Sequence, residues 1–138
     1  LRESERGEAA AMTSRRTPDW LPWAGGVWVF SYLGGGQATD GGHSMIWIAA
    51  HQALLFGYLW WDHRRAPSPR GRAPHEYRVY YVVLGLLALA LVVVGLPLFV
   101  VVGGWSGAAL VGVAAVGFGL LADRTYARIT RTVKERLA

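Results

Sequence analysis

The sequence predicts an all-α integral membrane protein, a bundle of four transmembrane helices with an amphipathic helical extension on the cytoplasmic side. Hydrophobic residues make up 53% of the chain and charged residues only 17%, an apolar balance for 138 residues. All 14 Arg and Lys residues fall in three blocks, at 2–16, 64–78 and 124–136. The segments between the blocks are almost free of charge, so basic and apolar residues are separated as they are at a membrane.

The first predicted span covers residues 18–33 and is short, about 24 Å as a helix. We expect Thr17 to cap its free amides, Pro18 to occupy its first position and Gly34–Gly36 to end it. Length alone is compatible with a thinned bilayer or with an interfacial helix. A full crossing brings all three basic blocks to one side, as the excess of Lys and Arg in cytoplasmic loops requires. We therefore predict four crossings, with the N- and C-termini in the cytoplasm.

The other predicted spans are 44–61, 79–102 and 105–122. Residues 79–102 carry no charge, and as a helix they measure about 36 Å, longer than the roughly 30 Å hydrocarbon core. The remaining two spans lie at the lower end of the spanning length. Residues 1–17 are expected to form a disordered, solvated tail, and 123–138 a basic amphipathic helix.

Small residues recur along the last two spans and predict a helix-packing interface. In the last span they are Ala108, Gly112, Ala115, Gly119 and Ala122, at spacings of 4, 3, 4 and 3. In the third span they are Gly85, Ala88 and Gly95. Helices associate in lipid by close approach across such residues, and the short connection after Val102 keeps the two spans antiparallel. We expect the two stripes to face each other.

His51, Gln52 and Tyr58 form the candidate polar intramembrane site. Trp47, His51, Leu54, Tyr58 and Trp61 share one face of the second span, so the imidazole has aromatic neighbours. A buried imidazole must find a hydrogen-bond partner within the bundle, and Ser31, Tyr32, Gln52 or a backbone carbonyl would suffice. As a haem or chlorophyll ligand it would need an open axial face, and as a proton relay an intramembrane carboxylate. Packing is the leading interpretation.

No catalytic, cofactor-binding or metal-binding constellation is recognisable. The chain has no cysteine, which excludes disulfides, iron–sulfur clusters and thiolate zinc sites within it. His43, His63 and His75 fall at span ends or in loops, and the pairs Asp40/His43 and Asp62/His63 are short of the three or four ligands that a metal site needs. We therefore expect no enzymatic activity and no cofactor.

The C-terminal block alternates an apolar stripe with basic residues. The stripe contains Tyr126, Ile129, Val133 and Leu137, and the basic residues are Arg124, Arg128, Arg131, Lys134 and Arg136. Such a segment can lie on anionic lipid at the cytoplasmic face, or pair with a partner helix. The same charges suffice for orientation, so nucleic acid is not an expected partner. Thirteen Arg against one Lys favours a bacterial inner membrane as the location.

Two functions remain in competition at the level of the sequence. The leading hypothesis is an accessory or scaffolding subunit that associates with a membrane-protein partner, or with itself, through its small-residue faces. The alternative is a small transporter or channel that works as a homodimer, with His51 and Gln52 lining the path.

Overall fold

The computed structural model describes residues 17–39, 42–65 and 74–138, together with Glu3, Arg6, Gly7 and residues 9–11. Within these residues all regular structure is α-helical. The four long helices are α1 (Leu21–Ala38), α2 (Gly42–Arg65), α3 (His75–Val102) and α4 (Gly104–Leu137). The all-α prediction is confirmed.

Helix α1 begins three residues later than expected. Trp20 occupies the N-cap position, and Pro22 lies in the first turn, where a proline leaves no amide unsatisfied. The Leu21 amide donates to the Pro18 carbonyl at 3.1 Å, so Pro18 belongs to a preceding turn. Thr17 is therefore not the cap.

The glycines at the other end of α1 do not terminate it. The helix passes through Gly34–Gly36 and ends at Ala38, with the Thr39 hydroxyl donating to the Gly35 carbonyl at 2.9 Å. Gly34 and Gly35 are buried because two indole rings lie where their side chains would be, that of Trp105 at Gly34 and that of Trp47 at Gly35. These glycines provide room for tryptophans from neighbouring helices.

A single residue joins α3 and α4 into a hairpin. Gly103 has φ 72° and Gly104 φ 56°, left-handed values that glycine adopts without steric cost. Beyond this turn α4 runs for 34 residues without interruption, about 51 Å. The predicted C-terminal helix is thus the end of α4. It follows the apolar segment without a break, and because it extends beyond the charge-free residues we call it the projecting end of α4.

The helices are arranged in the order α2, α1, α4, α3, each antiparallel to its neighbour. Helix α1 packs most extensively on α4, α3 packs on α4, and α2 packs on α1. No Cα atom of the described part of α2 lies within 8 Å of one in α3. The bundle is therefore open on one side, with α1 and α4 in the middle.

The small-residue stripe of α4 faces α1 at the points of closest approach, which corrects the expected pairing with α3. A Cβ placed on Gly112 would lie 3.1 Å from the Gly26 carbonyl oxygen, and one on Gly119 would lie 2.9 Å from Pro22 Cβ. Helix α3 contacts α4 near the hairpin turn, where Gly95 meets Val111 and Phe99 meets Gly107. It contacts α4 again at the opposite end, where the Tyr80 hydroxyl donates to the Ala122 carbonyl.

Two helices, α3 and α4, are long and apolar enough to cross a membrane. The most apolar windows of α3 and α4 are only 11% and 17% buried within the molecule, whereas the core helix of a water-soluble protein would be largely covered. The described helices α1 and α2 fall below the same measure, since tryptophans, glycines and the His51–Gln52 pair dilute their aliphatic residues. Length and composition therefore support two crossings among the described helices, those of α3 and α4, and do not show the four that the sequence predicts.

A small cluster of apolar side chains lies beyond the charge-free segments, at the end of the molecule that carries the basic residues. Tyr77 and Val133 are fully buried there with Ala9, and Tyr126, Ile129 and Leu137 pack around them. The Tyr77 hydroxyl shares a 2.9 Å hydrogen bond with Thr130. Ala9 lies in the segment expected to be a solvated tail, and the apolar stripe of the C-terminal segment is covered from within the chain.

Candidate functional site at the His51 junction and the interhelical cavity

His51 lies at the junction of α1 and α2 and is only 6% exposed. Its Nδ1 is 2.9 Å from the Trp47 carbonyl oxygen one turn earlier, and its Nε2 is 3.1 Å from the Ser31 hydroxyl on α1. A carbonyl oxygen only accepts, so Nδ1–H donates to Trp47, and in the neutral imidazole Nε2 accepts from Ser31. Both ring nitrogens are engaged, and the bond to Ser31 crosses from α2 to α1.

Two tryptophan side chains, one from each helix, also link α1 to α2. The Trp28 indole N–H on α1 donates to the His51 backbone carbonyl at 3.1 Å, and the Trp47 indole N–H on α2 donates to the Ser31 carbonyl at 3.2 Å. Each helix therefore gives one indole donor to the backbone of the other. In a medium without water such bonds join the helices, because the polar groups have no other partners.

Aromatic rings surround the imidazole on three sides. The centroids of Trp47, Tyr32 and Trp28 lie 4.7, 5.7 and 5.9 Å from that of His51. Trp28 and Tyr32 stack on each other at 5.3 Å with an interplanar angle of 9°. Trp28, Ser31, Tyr32, Trp47 and His51 form what we call the His51 junction.

The three predicted polar residues of α2 are not brought together. Gln52 is half-buried, and its side chain makes no hydrogen bond with the described part of the chain. Tyr58 lies two turns from His51, with its ring 6.3 Å from Trp20 and 5.9 Å from Trp61. Tyr58 instead belongs to a cavity that sequence reasoning did not identify.

This interhelical cavity has a volume of about 480 Å³ and opens between α2 and α3, with α1 and α4 behind it. Helix α2 contributes Tyr58 and Asp62, and α3 contributes Tyr80, Tyr81 and Leu84. The remaining lining comes from α1 and α4 and from Thr17: Thr17, Leu21, Pro22, Gly25, Trp28, Val29, Ala115, Gly119, Ala122, Asp123 and Tyr126. Trp28 connects the two features, because its ring lines the cavity while its N–H reaches His51.

Two carboxylates line the cavity. Asp62 has the guanidinium of Arg65 at 3.7 Å, one turn further along α2. Asp123 lies just outside the charge-free segment 105–122. Burial raises the pKa of the Asp123 carboxyl, and the negative charge of Asp19 raises it further. Tyr80 lies beside it and donates its hydroxyl to the Ala122 carbonyl at 3.0 Å.

The predicted packing residues divide between two neighbours and open space. Gly112 and Gly119 on α4 contact α1, and Gly95 on α3 contacts Val111 on α4. Ala115, Gly119 and Ala122 also line the cavity. Ala108 is fully buried and Ala88 half-buried, but a Cβ on Gly85 would meet nothing within 4 Å. Gly85 therefore makes no close contact within the described chain.

The predicted lipid-surface residues are all exposed, and they lie along the projecting end of α4: Arg124, Arg128, Arg131, Lys134 and Arg136. Arg136 is additionally paired with Glu76 on α3, through Nε and Nη2 at 2.8 and 3.2 Å. This ion pair fixes the first turn of α3 to the last turn of α4. Arg64 and Arg65 end α2, and Arg78 lies in the first turn of α3. Because the helices alternate in direction, the described basic residues gather at one end of the molecule.

No group of three or more His, Asp or Glu side chains with the spacing of a metal site occurs among the residues that the structure describes. Comparison with protein-family models, with curated proteins and with solved structures gave no match.

Proposed function

We propose that this protein is a non-enzymatic integral membrane subunit that assembles with a membrane partner, or with copies of itself, through helix–helix contacts. The support comes from three properties of the described chain: the depth that its helices share, the end at which its charges lie, and the face of α2 that it leaves open.

The shared depth favours four crossings. Helix α1 runs beside the whole apolar segment of α4, from the contact of Pro22 with Gly119 to that of Gly34 with Trp105. If that segment of α4 lies in hydrocarbon, α1 lies at the same depth. Helix α2 follows α1 in turn, since the His51 junction joins their middle turns. The low aliphatic content of these two helices is then compensated by their mutual hydrogen bonds.

The charge distribution favours cytoplasmic termini. The described Arg and Lys residues lie at the end where α1 and α3 begin and α2 and α4 finish, whereas the connecting sequences 38–42 and 103–104 contain no basic residue. Cytoplasmic loops of membrane proteins hold the excess of Lys and Arg. This orientation places the projecting end of α4 in the cytoplasm, where its exposed cations can approach anionic lipid headgroups or an acidic partner.

The observation that carries the proposal is the open face of α2. Ala50, Ala53 and Gly57 lie on one face of this helix and are all exposed, and a Cβ on Gly57 would meet nothing within 4 Å. The polar and aromatic face of α2, by contrast, is directed at α1. Small residues let a second helix approach closely in lipid, so the face with Gly57 is the surface we assign to a partner.

The mass of the complex purified in a mild detergent tests this assignment. We expect wild-type protein to elute as a complex larger than one chain, and Gly57→Ile to shift it towards the single-chain mass, because a branched side chain blocks backbone approach. Gly117→Ile is the matched control, since Gly117 on α4 is also exposed with nothing within 4 Å. A wild-type protein that is already a single chain, or a Gly57→Ile protein with an unchanged mass, contradicts the proposal.

The transporter alternative required a path lined by His51 and Gln52. The His51 ring is enclosed and engaged at both nitrogens, and neither residue is among those that line the cavity. These positions fit helix association better than passage of a substrate.

A further inference from the structure

The interhelical cavity has the volume of a small-molecule site and two carboxylates in its lining, and helix association alone requires neither. Its volume of about 480 Å³ falls within the roughly 300–1,000 Å³ range of small-molecule sites. Its lining includes the aromatic residues Trp28, Tyr58, Tyr80 and Tyr81. The chain carries a net charge of +5, yet the two charged residues in the cavity wall, Asp62 and Asp123, are both acidic.

We propose that the interhelical cavity binds an amphiphilic organic cation, with the charged group beside the carboxylates of Asp123 and Asp62 and the apolar part against Trp28 and Leu84. This site goes beyond the proposed helix association and does not depend on it. It assigns a ligand class to the space between α2 and α3.

The lining selects an organic cation over a metal ion. A hard metal ion needs about six oxygen ligands close together, and no group of three acidic or histidine side chains is present in the described chain. An organic cation is weakly hydrated and is attracted to the faces of aromatic rings as well as to carboxylates. Tyr80 lies beside Asp123. The ring centroids of Tyr81 and Tyr126 lie 5.3 and 5.6 Å from that of Tyr80.

Asp123 is the principal countercharge in this arrangement. Asp62 already has Arg65 at 3.7 Å, which offsets part of its charge. Asp123 instead lies near the carboxylate of Asp19, whose negative charge repels its own. A bound cation would relieve the repulsion between these two acids. Its apolar part would extend away from the basic end of the molecule, towards Leu84 and Trp28.

Binding of tetraphenylphosphonium to the full chain tests the proposal. The protein is placed in phosphatidylglycerol nanodiscs, which contain no ammonium headgroup, and binding to empty discs is subtracted. We expect saturable binding that is weakened about tenfold by Asp123→Asn and less by Asp62→Asn, since one close charge pair is worth roughly that factor in a partly desolvated site. Glu135→Gln removes the same charge from an exposed position of α4 outside the cavity, and it should leave the affinity unchanged.

Three results would overturn the site. The first two are no saturable binding by the wild type and an equal weakening of binding by Glu135→Gln. The third is an equal loss of affinity in Asp123→Asn for tetraphenylborate, which matches the probe in size but carries the opposite charge. Leu84→Trp provides a second variant that keeps both carboxylates and fills the cavity. It should also abolish most binding while the melting temperature stays near that of the wild type. Unchanged binding by Leu84→Trp would place the probe elsewhere and contradict the proposal.

A lipid headgroup and a free amphiphile carry the same cationic chemistry, and a second set of discs distinguishes them. Phosphatidylethanolamine discs supply a primary ammonium group at the depth of the cavity. Asp123→Asn serves as the control for the change in bilayer charge, which affects both proteins alike. Probe binding that weakens more for the wild type than for Asp123→Asn assigns the natural occupant to an amine-bearing lipid, and an equal change in both assigns it to a free cation. Either result retains the cavity as a cation site.

Discussion

At the scale of single residues, His51 shows how far the sequence can be used. A lone histidine in an apolar, aromatic segment was expected to be buried and to hydrogen-bond across helices, with Ser31 as one possible partner, and the structure pairs it with Ser31. The sequence did not indicate the two indole bonds from Trp28 and Trp47. Indole donors reach backbone carbonyls of another helix, and no spacing within one helix encodes which carbonyl that is.

The His51–Ser31 bond can be measured as a coupling energy. We expect His51→Ala to lower the free energy of unfolding in mild detergent by about 1–2 kcal/mol, since it removes two hydrogen bonds and a ring from a packed junction. In a double-mutant cycle with Ser31→Ala the coupling should be about 0.6 kcal/mol or more, the usual size for a hydrogen bond between membrane helices.

Gln52→Ala is the control for this cycle, because Gln52 is adjacent in sequence and lies outside the junction. Its effect on unfolding should be small. A coupling energy of zero between His51 and Ser31 would contradict the assigned hydrogen bond. Flux into proteoliposomes that both His51→Ala and Gln52→Ala abolish would support a transport path in place of a packing role.

At the scale of helices, periodicity predicted that a face would be a contact but not which helix it would meet. The stripe containing Gly112 and Gly119 could be read from its spacing. Its partner was assigned to α3 because the connection between the two helices is short. The structure places α1 there, with Gly26 against Gly112 and Pro22 against Gly119. Complementary small residues on a helix distant in the sequence decided the pairing.

The α1–α4 contact predicts a position-dependent effect of Gly→Ile. A Cβ at Gly112 would already lie 3.1 Å from the Gly26 carbonyl and 3.2 Å from Phe30 Cβ, so isoleucine forces the helices apart. We expect Gly112→Ile to lower the free energy of unfolding by about 1–3 kcal/mol. Thermal and denaturant unfolding in detergent would measure it.

Gly117→Ile again serves as the matched substitution on the same helix, because its Cβ would meet nothing within 4 Å. It should change the unfolding free energy far less than Gly112→Ile does. Equal destabilisation by the two variants would mean that helix propensity, and not the contact with α1, determines the cost.

At the scale of the whole molecule, the segregation of basic residues predicted the end at which they gather, and the helix contacts reproduce that gathering in the described residues. The open order α2, α1, α4, α3 and the cavity between α2 and α3 could not be predicted in the same way. Both depend on how large rings and small residues set the distance between helices. Trp28 and Trp47 keep α2 further from α1 than the glycines keep α4, and the resulting spread separates α2 from α3.

Four crossings and two crossings differ in the position of the turn between α1 and α2. The chain has no cysteine, so single cysteines introduced at exposed positions report their compartment without competing thiols. With four crossings, a membrane-impermeant maleimide added to intact cells should label Gln37→Cys and Ser106→Cys. His63→Cys and Ala127→Cys should react only after permeabilisation, because they lie at the basic end.

If only α3 and α4 cross, Ser106→Cys is labelled and Gln37→Cys is not. That outcome would contradict the shared depth of α1 and α4. The two helices are in contact along the apolar segment of α4, yet one would lie inside the bilayer and the other outside it.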